Sequence, residues 1–199
     1  ERWKDLVDVL HRQAEAEADA DPRADLLKLA GAVCRDRLED PQEALSAYRA
    51  ALDAHPEDGE ALEALDALYG AIDQPLDQME IVALRHKAEG DPSAQWDLAF
   101  RMADLWRTRL DDPLRAVDAY RELLETRPDA EAVMDALTSM VVDNLEARSA
   151  ADVLLTLHGE AAAWDRAVEV KEALIDHEAD LSARVAMLRP CLRGCHMEN

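Results

Sequence analysis

The chain has 199 residues, with 22 basic and 44 acidic side chains that give a formal net charge of −22 when histidine is neutral. Such a charge repels phosphate backbones and anionic membrane surfaces, so we expect no nucleic-acid binding. A hydrophobic fraction of 49% with 33% charged residues is typical of a globular protein. No stretch approaches the roughly 18 to 20 apolar residues of a membrane-spanning helix, so we expect no membrane insertion.

Residue usage predicts an all-α fold with almost no strand. Alanine and leucine are abundant, whereas the chain has six glycines and only eight aromatic residues. Three cysteines, Cys34, Cys191 and Cys195, are too few and too unevenly spaced for a fold built on disulfides. That usage suits a reducing compartment, and we predict a cytoplasmic location.

Taken in chain order, the segments show apolar residues three and four apart, which is the pattern of amphipathic helices. Many helix starts are marked by an Asp-Pro pair, in which aspartate is the N-cap and proline the first helical residue. These pairs begin at Asp21, Asp40, Asp91 and Asp112.

Two further prolines mark helix ends, because the residue before a proline resists the α conformation. His55 and Arg127 stand at these positions. Together the signals predict eleven helices, near residues 2–18, 23–38, 41–54, 58–70, 75–89, 93–110, 113–126, 129–143, 147–160, 163–178 and 181–189.

The chain contains an internal repeat with an offset of 72 residues. The segment 38–44 reappears at 110–116, and Tyr48 and Pro56 correspond to Tyr120 and Pro128. Each repeat holds two helical hairpins. A similarity between 3–7 and 164–168 does not fit this offset, so we expect an extra helix over 148–160, with no counterpart after Tyr69, and the helix roles are open beyond residue 142.

These residues resemble the tetratricopeptide repeat (TPR) family, in its bacterial type of array. Ala44, Tyr48, Ala51 and Pro56 stand where the family has its second-helix alanines, aromatic residue and closing proline, and Gly31 stands at a small position of the first helix. Ala167, following a tryptophan, resembles another second helix.

The resemblance implies a right-handed α-solenoid of antiparallel hairpins over residues 1–189, with 1–19 as half a hairpin and 190–199 as an irregular tail. It implies that first helices line a concave groove that holds a peptide or a partner helix. With Gly31 and Ala103 as anchors, the groove positions are Asp25, Lys28, Leu29, Ala32 and Arg35 in one hairpin, and Asp97, Phe100, Arg101, Asp104 and Arg107 in the next.

From these positions we predict the partner-binding residues to be Lys28, Arg35, Phe100, Arg101, Asp104 and Arg107. Their cations would bind carboxylates of the partner. The alternative is that the cations form ion pairs with the chain's own acids, for example Arg101 with Asp97. The family's carboxylate-binding subset also uses groove asparagines, which these positions lack, so we do not expect recognition of a C-terminal carboxylate.

Other candidate sites have simpler interpretations. Trp106 and Trp164 lie on apolar stripes and are predicted to be core residues, whereas Trp96 is predicted to be exposed. Residues 191, 195 and 196 offer two thiols and an imidazole but no fourth ligand, so we expect no metal and no cofactor. The acidic segment 15–21 fits a solvated helix face better than a site for a basic partner.

The sequence carries no catalytic signature, and we expect no enzymatic activity. The predicted function is a scaffold or adaptor that binds another protein or peptide of unknown identity. The alternative is a regulatory or sensory module that acts on a catalytic domain of the same polypeptide. We also expect end-to-end self-association through the apolar stripe of the leading helix, which contains Trp3, Leu6 and Leu10.

Overall fold

The computed structural model describes residues 2–176, apart from the side chain of residue 160. Within this part of the chain every regular element is helical, which confirms the all-α prediction. The predicted helix 181–189, the tail 190–199 and the thiols at 191 and 195 lie outside the described residues. The α-helices are α1 (Arg2–Ala16), α2 (Ala20–Val33), α3 (Pro41–Ala54), α4 (Gly59–Ala71), α5 (Pro75–Ala88), α6 (Pro92–Thr108), α7 (Pro113–Thr126), α8 (Glu131–Val142), α9 (Ala147–Glu160) and α10 (Trp164–Asp176), and a π-helical turn, Cys34–Leu38, follows α2.

The helix starts repeat with the predicted offset of 72 residues. The starts of α2, α6 and α10 are Ala20, Pro92 and Trp164. The same offset separates α3 from α7, α4 from α8, and α5 from α9. The helical repeat therefore continues through every described hairpin.

This register corrects two predictions about the C-terminal helices. Helix α9 is not an extra element, because α5 is its counterpart one repeat earlier. Helix α10 is the counterpart of α2 and α6, so it is a first helix and not a second one. The similarity between 3–7 and 164–168 misled the prediction, because both kinds of helix bury apolar residues at the same spacing.

Aspartate caps position most of the helix starts. The Asp40 and Asp112 carboxylates accept hydrogen bonds from the backbone N–H groups of Glu43 and Arg115, at 3.1 and 3.2 Å. Asp91 caps α6 in the same way. The predicted cap at Asp21 is wrong, because α2 begins one residue earlier, at Ala20. The proline at 22 is tolerated inside the first turn, where backbone N–H groups have no partner within the helix.

The joint after each first helix contains a residue in the left-handed conformation. Glu39, Asp73, Asp111 and Asn144 have φ values from 51° to 59°. At the first and third of these joints a backbone N–H group bonds to the carbonyl six residues earlier, at 3.0 Å in both cases. Such bonds close the last turn and reverse the chain.

The chain divides into two compact units, with the boundary between Met102 and Ala103 inside α6. In the first unit each helix from α1 to α5 packs on the next along the chain. A Cβ atom at Gly31 of α2 would lie 2.8 Å from the Tyr48 ring of α3, so glycine allows this close approach. In the second unit α8 packs on α7, α9 and α10.

The tryptophans differ from their predicted environments. Trp164 is 55% exposed at the start of α10, so its predicted core position is wrong. Trp106 is half-buried, and Trp96 is half-buried with its ring stacked on that of Phe100, with 5.9 Å between the centroids. No helix in the described part is both long and apolar enough to cross a bilayer.

Candidate functional site

A groove of about 620 Å³ lies between α2 and α4 in the first unit, and we call it the α2–α4 groove. Three small residues, Ala32, Ala64 and Ala67, contribute to its surface, and the side chain of Leu29 beside them is 52% exposed. The five groove positions predicted for this hairpin all line it. The lining residues are Asp25, Lys28, Leu29, Ala32, Arg35, Tyr48, Glu60, Glu63, Ala64 and Ala67.

Lys28 is fully engaged by acidic residues at one end of the groove. Its ammonium group lies 3.0 Å from Asp25, 2.9 Å from Asp58 and 2.9 Å from Glu60, and the side chain is 13% exposed. Burial alone would lower the pKa of Lys28, but hydrogen bonds to these three carboxylates raise it above its ordinary value. Lys28 is therefore already neutralised by the chain itself.

The Arg35 guanidinium is held in a bidentate pair with the neighbouring Asp36. Nε lies 2.7 Å from one carboxylate oxygen and Nη2 lies 3.1 Å from the other. Both cations that line the groove thus have acidic partners, as the alternative interpretation of the sequence expected.

Arg101 of α6 is paired with Asp66 of α4, at 2.8 Å, and not with Asp97 as suggested from the sequence. The Asp66 side chain is only 2% exposed, and it also accepts hydrogen bonds from Arg85 at 2.5 Å and from Gln78 at 3.0 Å. An isolated carboxylate would be very costly to bury, so these three donors account for its position.

Sequence reasoning missed the Asp66 cluster, although a signal for it exists. Asp66 follows Leu62 by four residues and precedes Tyr69 by three, which places it on the apolar stripe of α4. A charged residue on a buried stripe requires a partner of opposite charge. The spacing does not say which arginine provides it.

Two further predicted residues form an ion pair within α6. Nη2 of Arg107 lies 2.6 Å from the Asp104 carboxylate, and the same guanidinium is hydrogen-bonded to the Tyr120 hydroxyl of α7. Burial, partly offset by Arg107, raises the pKa of Tyr120 to about 12. Phe100, the remaining predicted residue, stacks on Trp96.

The two repeats treat equivalent tyrosines differently. Tyr48 and Tyr120 are 72 residues apart, as are Arg35 and Arg107. In the second repeat the arginine reaches the tyrosine hydroxyl. In the first repeat Arg35 turns to Asp36, and the Tyr48 hydroxyl has no hydrogen-bond partner among residues 2–176.

The cause of this difference is the position of the acidic residue. In the second repeat Asp104 stands three residues before the arginine and holds it beside Tyr120. Ala32 stands at the equivalent position of the first repeat, where the acid follows the arginine instead. Tyr48, which is 3% exposed and lines the α2–α4 groove, therefore offers its hydroxyl to a ligand.

The second unit has two clefts that sequence reasoning missed. One, of about 500 Å³, lies between α7 and α9 and is lined by Leu124, Val153 and Leu157 among others. The other, of about 440 Å³, is lined by residues of α8, α9 and α10, including the buried His158. Burial, assisted by Arg166, lowers the pKa of His158.

Among the described side chains no group of three or more histidine, cysteine or acidic residues is arranged to hold a metal ion. No family model and no curated protein matches the sequence. The chain is similar to a solved structure of YrrB, described as a TPR protein with an unusual peptide-binding site. The TM-score is 0.44 at 16% sequence identity, over 90% of this chain and 97% of YrrB. Because this likeness is distant, we base the assignment of a TPR-like helical repeat on the helices themselves.

Proposed function

We propose that the chain is a protein-interaction module that holds a segment of another protein in the α2–α4 groove. The observation that carries the proposal is the shape of this groove, where small side chains lie open between polar walls. Its volume of about 620 Å³ is that of an ordinary ligand site. Alanines leave room for the side chains of a bound segment, and the exposed Leu29 supplies an apolar contact.

The chemistry of the groove favours binding over catalysis. A catalytic lysine nucleophile needs a lowered pKa, whereas the pKa of Lys28 is raised. Arg35 is paired with Asp36 and serves as part of the wall. The contacts predicted for Phe100, Arg101, Asp104 and Arg107, and the cytoplasmic location, stay predictions.

Site-specific photocrosslinking in cells tests the proposal. A photoreactive amino acid at Leu29 should crosslink one defined protein segment, because this residue lies in the groove. The variant Ala67→Arg, which fills the groove, should abolish that product. The matched control Ser46→Arg adds the same side chain at an exposed position of α3 and should leave the product unchanged.

The mass of the crosslinked product also separates two sources of the segment. A separate partner adds its own mass, whereas a segment of the same polypeptide produces an internal crosslink. A product at Leu29 that survives Ala67→Arg, or the absence of any product there, would contradict binding in the groove.

A further inference from the structure

The α2–α4 groove carries an excess of negative charge despite its two cations. Lys28 and Arg35 line it, but their contacts bring in Asp36 and Asp58 in addition to the lining acids Asp25, Glu60 and Glu63. Five carboxylates therefore surround two cations. A ligand in this groove meets a negative potential, and the net charge of −22 strengthens it.

Glu63 is the acidic residue in the groove that is left to bind a ligand. Lys28 engages the carboxylates of Asp25, Asp58 and Glu60, and Arg35 engages Asp36. Within the described part of the chain, Glu63 has no ion pair or hydrogen bond through its side chain, and it is exposed on α4 one residue before Ala64.

The Tyr48 hydroxyl is a second polar group without a partner in the same groove. Its ring is packed against Gly31, and burial raises the pKa of Tyr48, so the hydroxyl stays protonated at neutral pH. A protonated hydroxyl can donate a hydrogen bond to a backbone carbonyl. A bound peptide has such carbonyl groups along its whole length.

From this arrangement we propose that the α2–α4 groove selects a cationic peptide segment, with a lysine or arginine paired to Glu63, a backbone carbonyl bound by the Tyr48 hydroxyl, and an apolar side chain on Leu29. This inference rests on the proposed function and names the class of partner. It also reverses the sequence-based expectation that the cations of this hairpin bind carboxylates of a partner. Charge complementarity of this kind sets specificity and speeds association.

Fluorescence anisotropy with three labelled nonapeptides tests the inference on the full chain. All three have one central leucine in an alanine framework, with three lysines, three glutamates or three serines at the same positions. At 50 mM NaCl the lysine peptide should bind at least tenfold more tightly than the other two. Its affinity should fall as NaCl is raised to 300 mM, because salt screens exposed charges.

Two variants locate the binding site. Glu63→Lys should weaken binding of the lysine peptide about tenfold, somewhat more than the loss of one exposed ion pair, because a like charge replaces an opposite one. The control Glu122→Lys makes the same change of net charge on an exposed position of α7 and should change binding by less than about twofold. Tyr48→Phe should weaken binding a few-fold without changing the urea midpoint of unfolding, since its hydroxyl has no partner to lose.

The outcomes separate this inference from the proposed function. Preferential binding of the serine or glutamate peptide, blocked by Ala67→Arg, would overturn the cationic class and leave the groove as a peptide site. Equal weakening by Glu63→Lys and Glu122→Lys would show attraction by net charge alone and would also overturn the inference. Failure of Ala67→Arg to affect either peptide binding or the Leu29 crosslink would overturn the proposed function itself.

Discussion

At the scale of single residues, Asp66 has the most demanding environment in the first unit. Its buried carboxylate binds Arg85, Arg101 and Gln78 together. Asp66→Asn removes the charge and leaves two guanidinium groups around an amide, so we expect a loss of about 3 kcal/mol in the free energy of unfolding. Urea denaturation measures this. The control Asp97→Asn, an exposed position on α6, should change stability by less than about 0.5 kcal/mol.

A second prediction at this scale concerns His158 and pH. Because burial lowers the pKa of the folded-state imidazole, the unfolded chain binds a proton first as the pH falls below about 6.5. Stability should therefore be complete above that pH and decrease below it. Urea midpoints at pH 7.5 and 5.5 should differ more for the native chain than for His158→Gln. Equal differences would mean that the carboxylates alone produce the acid sensitivity.

The partners of individual side chains were the least predictable part of the sequence. Positions three and four apart can be read along one helix, which is how Asp97 was suggested for Arg101. The observed partner, Asp66, is 35 residues away and is brought close only by the packing of different helices. Likewise the spacing predicted Lys28 in the groove but not that three carboxylates surround it there.

At the scale of helices, prediction succeeded where local chemistry decides. The bounds of α3 and α7, 41–54 and 113–126, agree with the predicted ones because an Asp-Pro pair starts each helix and a pre-proline residue ends it. The role of α10 could not be predicted in this way. First and second helices share one apolar period, and only the full register of the repeat distinguishes them.

The packing of α2 on α3 gives a prediction at this scale. Alanine favours helix over glycine by up to about 1 kcal/mol, yet a Cβ at Gly31 would lie 2.8 Å from the Tyr48 ring. We expect Gly31→Ala to destabilise the chain by about 1 to 2 kcal/mol, because the ring has to move within a packed core. Thermal unfolding followed by circular dichroism measures the change.

A matched variant on α9 separates the clash from intrinsic helix propensity. A Cβ at Gly159 would meet nothing within 4 Å, so Gly159→Ala should be neutral or slightly stabilising. If both variants stabilise the chain, the Tyr48 ring is free to move and the close approach does not limit this pair of helices.

At the scale of the whole molecule, the net charge of −22 dominates. Like charges repel one another in the folded chain, and salt screens this repulsion over a Debye length of about 8 Å at physiological ionic strength. We expect the melting temperature to rise by a few degrees between 20 and 300 mM NaCl, measured by differential scanning calorimetry. A decrease would mean that ion pairs such as those of Lys28 contribute more than the repulsion costs.

The Asp66 cluster also has a consequence for how the first unit opens. Side-chain hydrogen bonds to one carboxylate connect α4 with α5 and with the start of α6, whereas α1 is held through apolar residues such as Val7, Leu10 and Ala14. In native-state hydrogen exchange the amides of α4 and α5 should therefore exchange together in one cooperative opening, and those of α1 should exchange earlier through a separate, local one. A single buried acid thus sets the boundary of a cooperative folding unit within a chain of repeated hairpins.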